Sequence, residues 1–512
     1  MLKYYLMVTK VLSASPYGFD GFLVEVEADS KQGLPGIQIV GMGNKAVEES
    51  KDRIRSAITN SQLDFPTTKI TINLAPAELP KDGAHYDLPI ALSILCTSRQ
   101  LTKSQLADCL FVGELALDGN LRPVNGIINM LQTAKSSGLH TAFIPSENVA
   151  QASLVTDIEI IGVSSLKELF LHLKGVLKIT QPSEVVVSQQ SFLPNNSPTI
   201  DEIKGQEAAK RAILISAAGH HNILLTGPPG AGKSLLAKAM SSLLPGLSSE
   251  EKVEVTKIHS LSGKNDQIVN HRPFRSPHHS ASRIAILGGG PKTKPGEISL
   301  AHAGVLFLDE LPEYPRSVLE SLRQPLEDRH ISIDRASSSV TYPANFMLVA
   351  TMNPCPCGYY NDQDRSCSCT PHQISTYQKR LSGPLIDRID LVVNVSRPSG
   401  QDLLYQDSLN QTQHKNAQKC IQKALEVQHN RYNSSKHYNS SIDNKTLKST
   451  MRLDPDASDM LIKAVDRLQL SARSYFKIIK VARTIADLDQ AKSINRNHIA
   501  EALRYRETQS LN

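Results

Sequence analysis

The stretch NILLTGPPGAGKSLLAKAM, Asn222 to Met240, constrains this chain more than any other. An apolar run of strand length passes through a glycine-rich loop into the start of an amphipathic helix, and Gly227 to Ser234 fit G-x-x-x-x-G-K-[ST] in full. Gly227, Gly230 and Gly232, with Pro228, Pro229 and Ala231 between them, let backbone N–H groups wrap a phosphate chain. Lys233 then reaches the β and γ oxygens, and the Ser234 hydroxyl is placed to ligate magnesium. The expectation is an α/β nucleotide-binding domain.

Two further apolar runs end in polar side chains suited to the same chemistry. GVLFLDE, Gly304 to Glu310, closes on two carboxylates. Asp309 is suited to hold magnesium through water and Glu310 to orient and polarise an attacking water. The plainer alternative is a strand ending in two capping acids. FMLVATMNP closes on Asn353, which can hold that water from the other side. In SGPLIDRIDL, Arg388 lies between two acids just before another strand. It is either a salt-bridged surface residue or, in a ring of subunits, a finger reaching a neighbour's γ-phosphate.

At 512 residues the chain is too long for one core. Periodicity disappears from Gln181 to Thr199, which reads as a linker. The expected domains are therefore 1–180, a linker at 181–199, a nucleotide-binding core at 200–397 and a helical domain at 398–512. In the last, DASDMLIKAVDRL and SYFKIIKVARTIADLDQA space apolar residues three and four apart. No run approaches the ~18 apolar residues needed to span a bilayer, and the first residues lack a clean signal-peptide pattern, so a cytoplasmic protein without membrane contact is expected. The net charge of +6 is mild, and it supports a polyanionic partner only weakly. Its distribution says more: from Lys264 to Glu297 six Lys or Arg face two acids.

Cys355, Cys357, Cys367 and Cys369 form two C-x-C pairs nine residues apart. In a reducing compartment a disulfide reading is poor. Four thiolates at this spacing can close a tetrahedral structural zinc site across 355–369; free thiols in a loop and a redox pair are the other readings. Such a clip would stiffen the excursion between Asn353 and Arg388.

Taken in order, PFRSPHHSAS, GVLFLDELPEY, NPCPCGYY and LSGPLIDRIDL, with GLPGIQIVGM and AVEESKDRIRSAI near the start, resemble the magnesium-chelatase-like AAA+ proteins of bacteria, the ComM and YifB group. The resemblance covers nearly the whole chain. It implies an AAA+ core with a helix-2 insert and a pre-sensor-1 hairpin, a C-terminal helical lid, ATP and Mg2+ as cofactors, and a hexamer of identical chains. By position, Lys233, Ser234, Asp309, Glu310 and Asn353 would act in cis, Arg388 as the finger and Arg473 as the sensor-2 arginine, while Ile203 and Gln206 would cover the adenine. It further implies an ATP-dependent DNA motor, a helicase driving branch migration of incoming strands in natural transformation. A chelatase-type remodeller, serving metal insertion or protein remodelling by a partner subunit, is the alternative.

The first 175 or so residues resemble the Lon protease domain with its ribosomal-S5-like fold: LPKDGAHYDLPIAL matches the stretch around the nucleophile and GELALDGNLRPVNGI the stretch carrying the lysine. The serine position holds His85 and the lysine position Ile128. Ser-Lys hydrolysis needs both groups, so this domain is expected to be a degenerate protease, serving assembly or nucleic-acid contact. Within the insert and the hairpin, Arg275, Arg283 and Arg335 are the candidates for phosphate contact on DNA, read without base specificity; packing against a neighbouring subunit is the competing reading for the insert.

Overall fold

The computed structural model describes residues 9–41, 45–79, 81, 83–179, 198–263, 267–290, 293–335, 338–362, 364–398, 412–434 and 436–506. The expected linker falls, but for its last two residues, outside them, as does the side chain of Arg335. The chain divides into two compact units. One comprises Met1–Gln190, Ser248–Val269 and Asp334–Thr341; the other comprises Ser191–Leu247, Asn270–Ile333 and Tyr342–Asn512.

The first unit is built on a seven-stranded mixed sheet in the order Gly36–Val40, Lys69–Ala75, Asp20–Lys31, Thr9–Tyr17, Cys109–Phe111, Thr141–Pro145, Glu159–Val163. Strict alternation makes Lys69–Ala75 a strand: Ile70, Ile72 and Leu74 are fully buried and their neighbours are not. Helix Asp87–Thr97 is apolar nearly all round and is buried accordingly. Its Asp87 is also buried and takes a bidentate pair from Arg53, at 2.9 and 3.2 Å. Burial outweighs the guanidinium and pushes this carboxyl up to about 6.

A helix from the middle of the chain, Ser249–Ser262, belongs to this unit. Ser248 and Glu251 start it with a capping box. It lies on helix Ile127–Ser136, where the buried Lys257 donates to Gln132 at 2.7 Å and sits 4.0 Å over the Phe19 ring, while Ser260 accepts the Gly126 N–H at 2.8 Å. The segment from Asp334 to Thr341, the tip of the hairpin His330–Arg335/Ser338–Pro343, belongs here too.

The second unit holds a five-stranded parallel sheet in the order Phe274–Arg275, Val305–Leu308, Met347–Met352, Ile223–Thr226, Leu391–Asn394. Its central strands are buried along their length, which is why they read as unbroken apolar runs rather than alternating ones. Register pairs Leu308 with Ala350 and Thr226 with Met352, so the residues that follow these strands emerge along one edge of the sheet. Helix Glu207–Gly219 packs on the sheet and shares one core with the C-terminal helices Gln413–Tyr432, Pro455–Leu468, Ala472–Leu488 and Arg496–Arg504. Among the described residues, no helix is long and apolar enough to cross a membrane.

Candidate nucleotide site and cysteine cluster

The loop Gly227–Gly232 leaves strand Ile223–Thr226 and delivers Lys233 as the first residue of helix Lys233–Ser241. Its backbone admits only glycine at the first position: a Cβ on Gly227 would stand 2.1 Å from the Val395 carbonyl oxygen. The Lys233 ammonium donates to Gly227 O at 2.7 Å, Pro228 O at 2.9 Å and Asn353 Oδ1 at 3.1 Å, so the loop is folded around its own lysine. Burial holds that lysine below its usual range, with Asp309 and Glu310 pulling the other way.

Ser234 Oγ donates to Asp309 Oδ2 at 3.1 Å, bringing together the two expected magnesium ligands. The other Asp309 oxygen accepts from the Thr351 hydroxyl, and that hydroxyl in turn accepts the Glu310 N–H at 3.0 Å. Thr351 therefore holds the Asp309 carboxylate and the backbone of Glu310. Sequence reasoning passed over it, although its place two residues before Asn353 on the neighbouring strand was the available signal. Glu310 has φ +52, a left-handed conformation rare for this residue type, and its side chain is exposed at the strand end. Gln206 reaches the loop as well, donating to Ala231 O at 2.5 Å, whereas Ile203 is buried in the core beneath it.

Arg388 and Arg473 are not brought to this loop. Both turn to Glu327: Arg388 Nη2 pairs with Oε2, and Arg473 Nη2 lies 3.7 Å from Oε1. Arg275 sits in a strand, with its Nε and Nη2 paired to the Glu297 carboxylate at 2.6 and 2.7 Å. Arg283 is exposed at the start of the short helix Arg283–Leu287.

The four clustered cysteines converge. Their Sγ atoms all lie within 4.8 Å of one another, with 3.4 Å between Cys355 and Cys357, 3.6 Å between Cys355 and Cys367, and 3.5 Å between Cys357 and Cys367. A zinc ion with Zn–S bonds of about 2.3 Å requires S–S edges of about 3.8 Å, so the set fits that ion. Backbone N–H groups aim at the sulfurs, Cys357 N to Cys369 Sγ and Cys369 N to Cys367 Sγ, both at 3.4 Å. The Tyr359 N–H, aided by other hydrogen bonds, holds the Cys357 thiol down to about 5. Against the Cys369 N–H, burial and the neighbouring sulfurs push Cys367 up to about 12.

In the first unit, His85 and Ile128 are both buried, His85 beside the Tyr86 ring at 4.0 Å, so neither position presents a nucleophile–base pair to solvent.

Comparison with known proteins agrees with this geometry. Residues 199–403 match the family described as magnesium chelatase, subunit ChlI; residues 26–148 match subunit ChlI of Mg-chelatase, and 411–506 the ChlI C-terminal family. Over 501 residues the chain is 43% identical to competence protein ComM of Haemophilus influenzae, covering 97% of each chain. It is 42% identical to the uncharacterized protein YifB of Escherichia coli over 94% of each. A Lon protease of Mycoplasma mobile is 28% identical over 190 residues, 34% of this chain and 22% of the protease. With the phosphate loop, the paired acids and the strand-end asparagine assembled on one parallel sheet, and with likeness of this extent, the chain belongs to the ComM and YifB family of magnesium-chelatase-like AAA+ proteins.

Proposed function

We propose that this protein is an ATP-driven motor on DNA, assembled as a ring of identical chains, a branch-migration helicase serving recombination of incoming strands, as the competence protein in its family suggests. One observation carries the reading. Lys233, Ser234, Asp309, Glu310, Thr351 and Asn353 are gathered on one sheet edge, while Arg388 and Arg473 are held on Glu327. A site divided in this way is completed by a neighbouring copy, as in other phosphoryl-transfer enzymes that take an arginine in trans.

In the cis half, backbone N–H groups of Gly227–Gly232 and Lys233 bind the phosphates of ATP, and Ser234 and Asp309 would hold the magnesium ion that neutralises them. Glu310 orients and polarises the attacking water, and Asn353 steadies both that water and Lys233. Zinc held by Cys355, Cys357, Cys367 and Cys369 would serve as a staple beside this machinery. Arg275, Arg283 and Arg335 are the candidates for phosphate contact on DNA, Arg275 from within its pair with Glu297. The degenerate first unit serves assembly or DNA contact, and the protein works in the cytoplasm.

A chelatase-type remodeller is the second reading, favoured by the family models matched. The rate of ATP hydrolysis with and without single-stranded, duplex and four-way-junction DNA separates the two. The motor reading expects stimulation, greatest on the junction. An unchanged rate on all three, with no strand exchange on the junction, returns the weight to the remodeller.

A further inference from the structure

The second unit contains a cavity of about 420 Å³ that none of the phosphate-loop residues lines. Five cations border it: Arg329, Arg388, Arg473, Lys477 and Lys480. Two carboxylates, Glu327 and Asp390, line it with them. Asp390 is already committed, accepting the Asn222 N–H at 3.0 Å with His221 Nδ1 at 3.5 Å. Glu327 is therefore what neutralises the arginine pair.

The sequence builds this concentration of charge by helical spacing. Arg473, Lys477 and Lys480 follow at i, i+4 and i+7 on helix Ala472–Leu488 and so share a face. Arg473 also stands in the first turn, where the unpaired N–H groups already favour an anion over a cation. Burial holds Lys477 and Lys480 below their usual range, and neighbouring arginines add to it, against the pull of Asp390 on both, of Asp387 on Lys477 and of Asp443 on Lys480. Donors remain to be satisfied: Arg388 Nε and Ser440 Oγ are buried without a hydrogen-bond partner, and Lys477, which gives one proton to Ile389 O at 2.6 Å, has two more. Five cations, a helix N-terminus and two unpaired donors around a cavity call for an oxyanion with more than two acceptor atoms.

We propose that this pocket receives the terminal phosphate of a nucleotide bound by a second copy of the chain, that Lys477 and Ser440 join Arg388 and Arg473 as its donors, and that Glu327 is an internal counter-anion which leaves as the phosphate enters. The inference rests on the composite-site reading above. Glu327 is 51% exposed, so its exchange for phosphate is inexpensive, yet while in place it competes for both guanidinium groups. Assembly and nucleotide are thereby linked, since a copy without ATP offers nothing to displace the carboxylate.

The test is Glu327→Gln, with Glu327→Ala as a second neutralisation and Glu327→Asp as the variant that keeps the charge. Sedimentation of each chain with a non-hydrolysable ATP analogue gives the protein concentration at half-assembly. Both neutral variants should lower it about five-fold, the scale of an exposed ion pair, with Glu327→Asp near wild type and analogue affinity of the unassembled chain unchanged. Lys477→Met should raise it. A midpoint in Glu327→Gln and Glu327→Ala equal to or above that of wild type overturns the counter-anion. Mixing Arg388→Ala with Lys233→Ala chains tests the composite site by itself. Recovered hydrolysis with an unmoved Glu327 midpoint removes only this inference; no recovered hydrolysis removes the composite site and this inference with it.

Discussion

Gly358 lies against Pro229: a Cβ built on residue 358 would stand 2.5 Å from Pro229 Cδ and 2.7 Å from its Cγ. The cysteine knuckle is thus in direct contact with the phosphate loop, and its Gly358, at φ +85, is where the two meet. Gly358→Ala must both strain the backbone and displace Pro229. We expect a loss of about 1–2 kcal/mol in stability and roughly ten-fold weaker ATP binding, read by thermal melting and by titration with a fluorescent nucleotide. Wild-type affinity in a folded Gly358→Ala chain would mean that the knuckle does not position the loop.

Lys233 and Glu310 should separate binding from turnover. Lys233→Ala removes the cation around which the loop is folded and should abolish nucleotide binding. Glu310→Gln leaves that cradle intact and should retain ATP while slowing hydrolysis by about a hundred-fold or more. Thr351→Val removes the hydroxyl shared by Asp309 and the Glu310 N–H, and should raise the magnesium concentration needed for half-maximal rate. Equal losses of ATP affinity in Lys233→Ala and Glu310→Gln would sink the division of roles.

Elemental analysis of the purified chain should find about one zinc per chain. Cys367→Ser and Cys369→Ser should each lose it, because three thiolates no longer close the tetrahedron. Hydrolysis should fall in both, through the knuckle's contact with Pro229. A metal-free preparation with full ATPase activity counts against the site.

Acid should weaken the second unit through Asp390. Burial alone would raise this carboxyl, but the hydrogen bond and charge of His221, the charge of Lys477 and the Asn222 N–H hold it at about 2, below its ordinary 3.8. A depressed folded-state value means that the stabilisation is present above pH 3.8 and is lost as pH falls from there through 2, a change of about 2 kcal/mol. Asp390→Asn should flatten denaturant-monitored stability over that window. Asp87 in the first unit has the opposite sign: raised to about 6, it favours the fold increasingly as pH falls from 6 towards 3.8. An Asp390→Asn chain with the wild-type acid limb would show that other carboxylates govern it.

The gathering of the glycine-rich loop, Asp309 and Asn353 was legible because its parts are local in sequence. Each strand end carries its own polar residue, and the parallel register that gathers Asp309, Asn353 and the Gly227 loop follows from apolar runs that mark themselves. The cysteine spacing likewise announced a cluster. What escaped depends on contacts that no spacing encodes. Glu327 meets Arg388 across 61 residues and Arg473 across a still longer interval, and nothing about a glutamate near a helix end distinguishes it from a solvated one. The pairing of Arg275 with Glu297, 22 residues on in a separate element, was hidden in the same way. The place of helix Ser249–Ser262 in the first unit was hidden for the same reason: its capping box and apolar residues fix a helix but not the surface it lies on.

The chain passes between its two units five times. A protein that carried an accessory domain at one end would do so once. Because the segments Ser248–Val269 and Asp334–Thr341 are built into the first unit, a gene truncated before residue 198 would encode an ATPase whose excursions have lost their bed, with the apolar side of helix Ser249–Ser262 and the charged Lys257 turned out into water. A change on the surface of helix Ile127–Ser136 is therefore felt by helix Ser249–Ser262, more than a hundred residues on, so a graft that divides the sequence between them separates two surfaces built for each other.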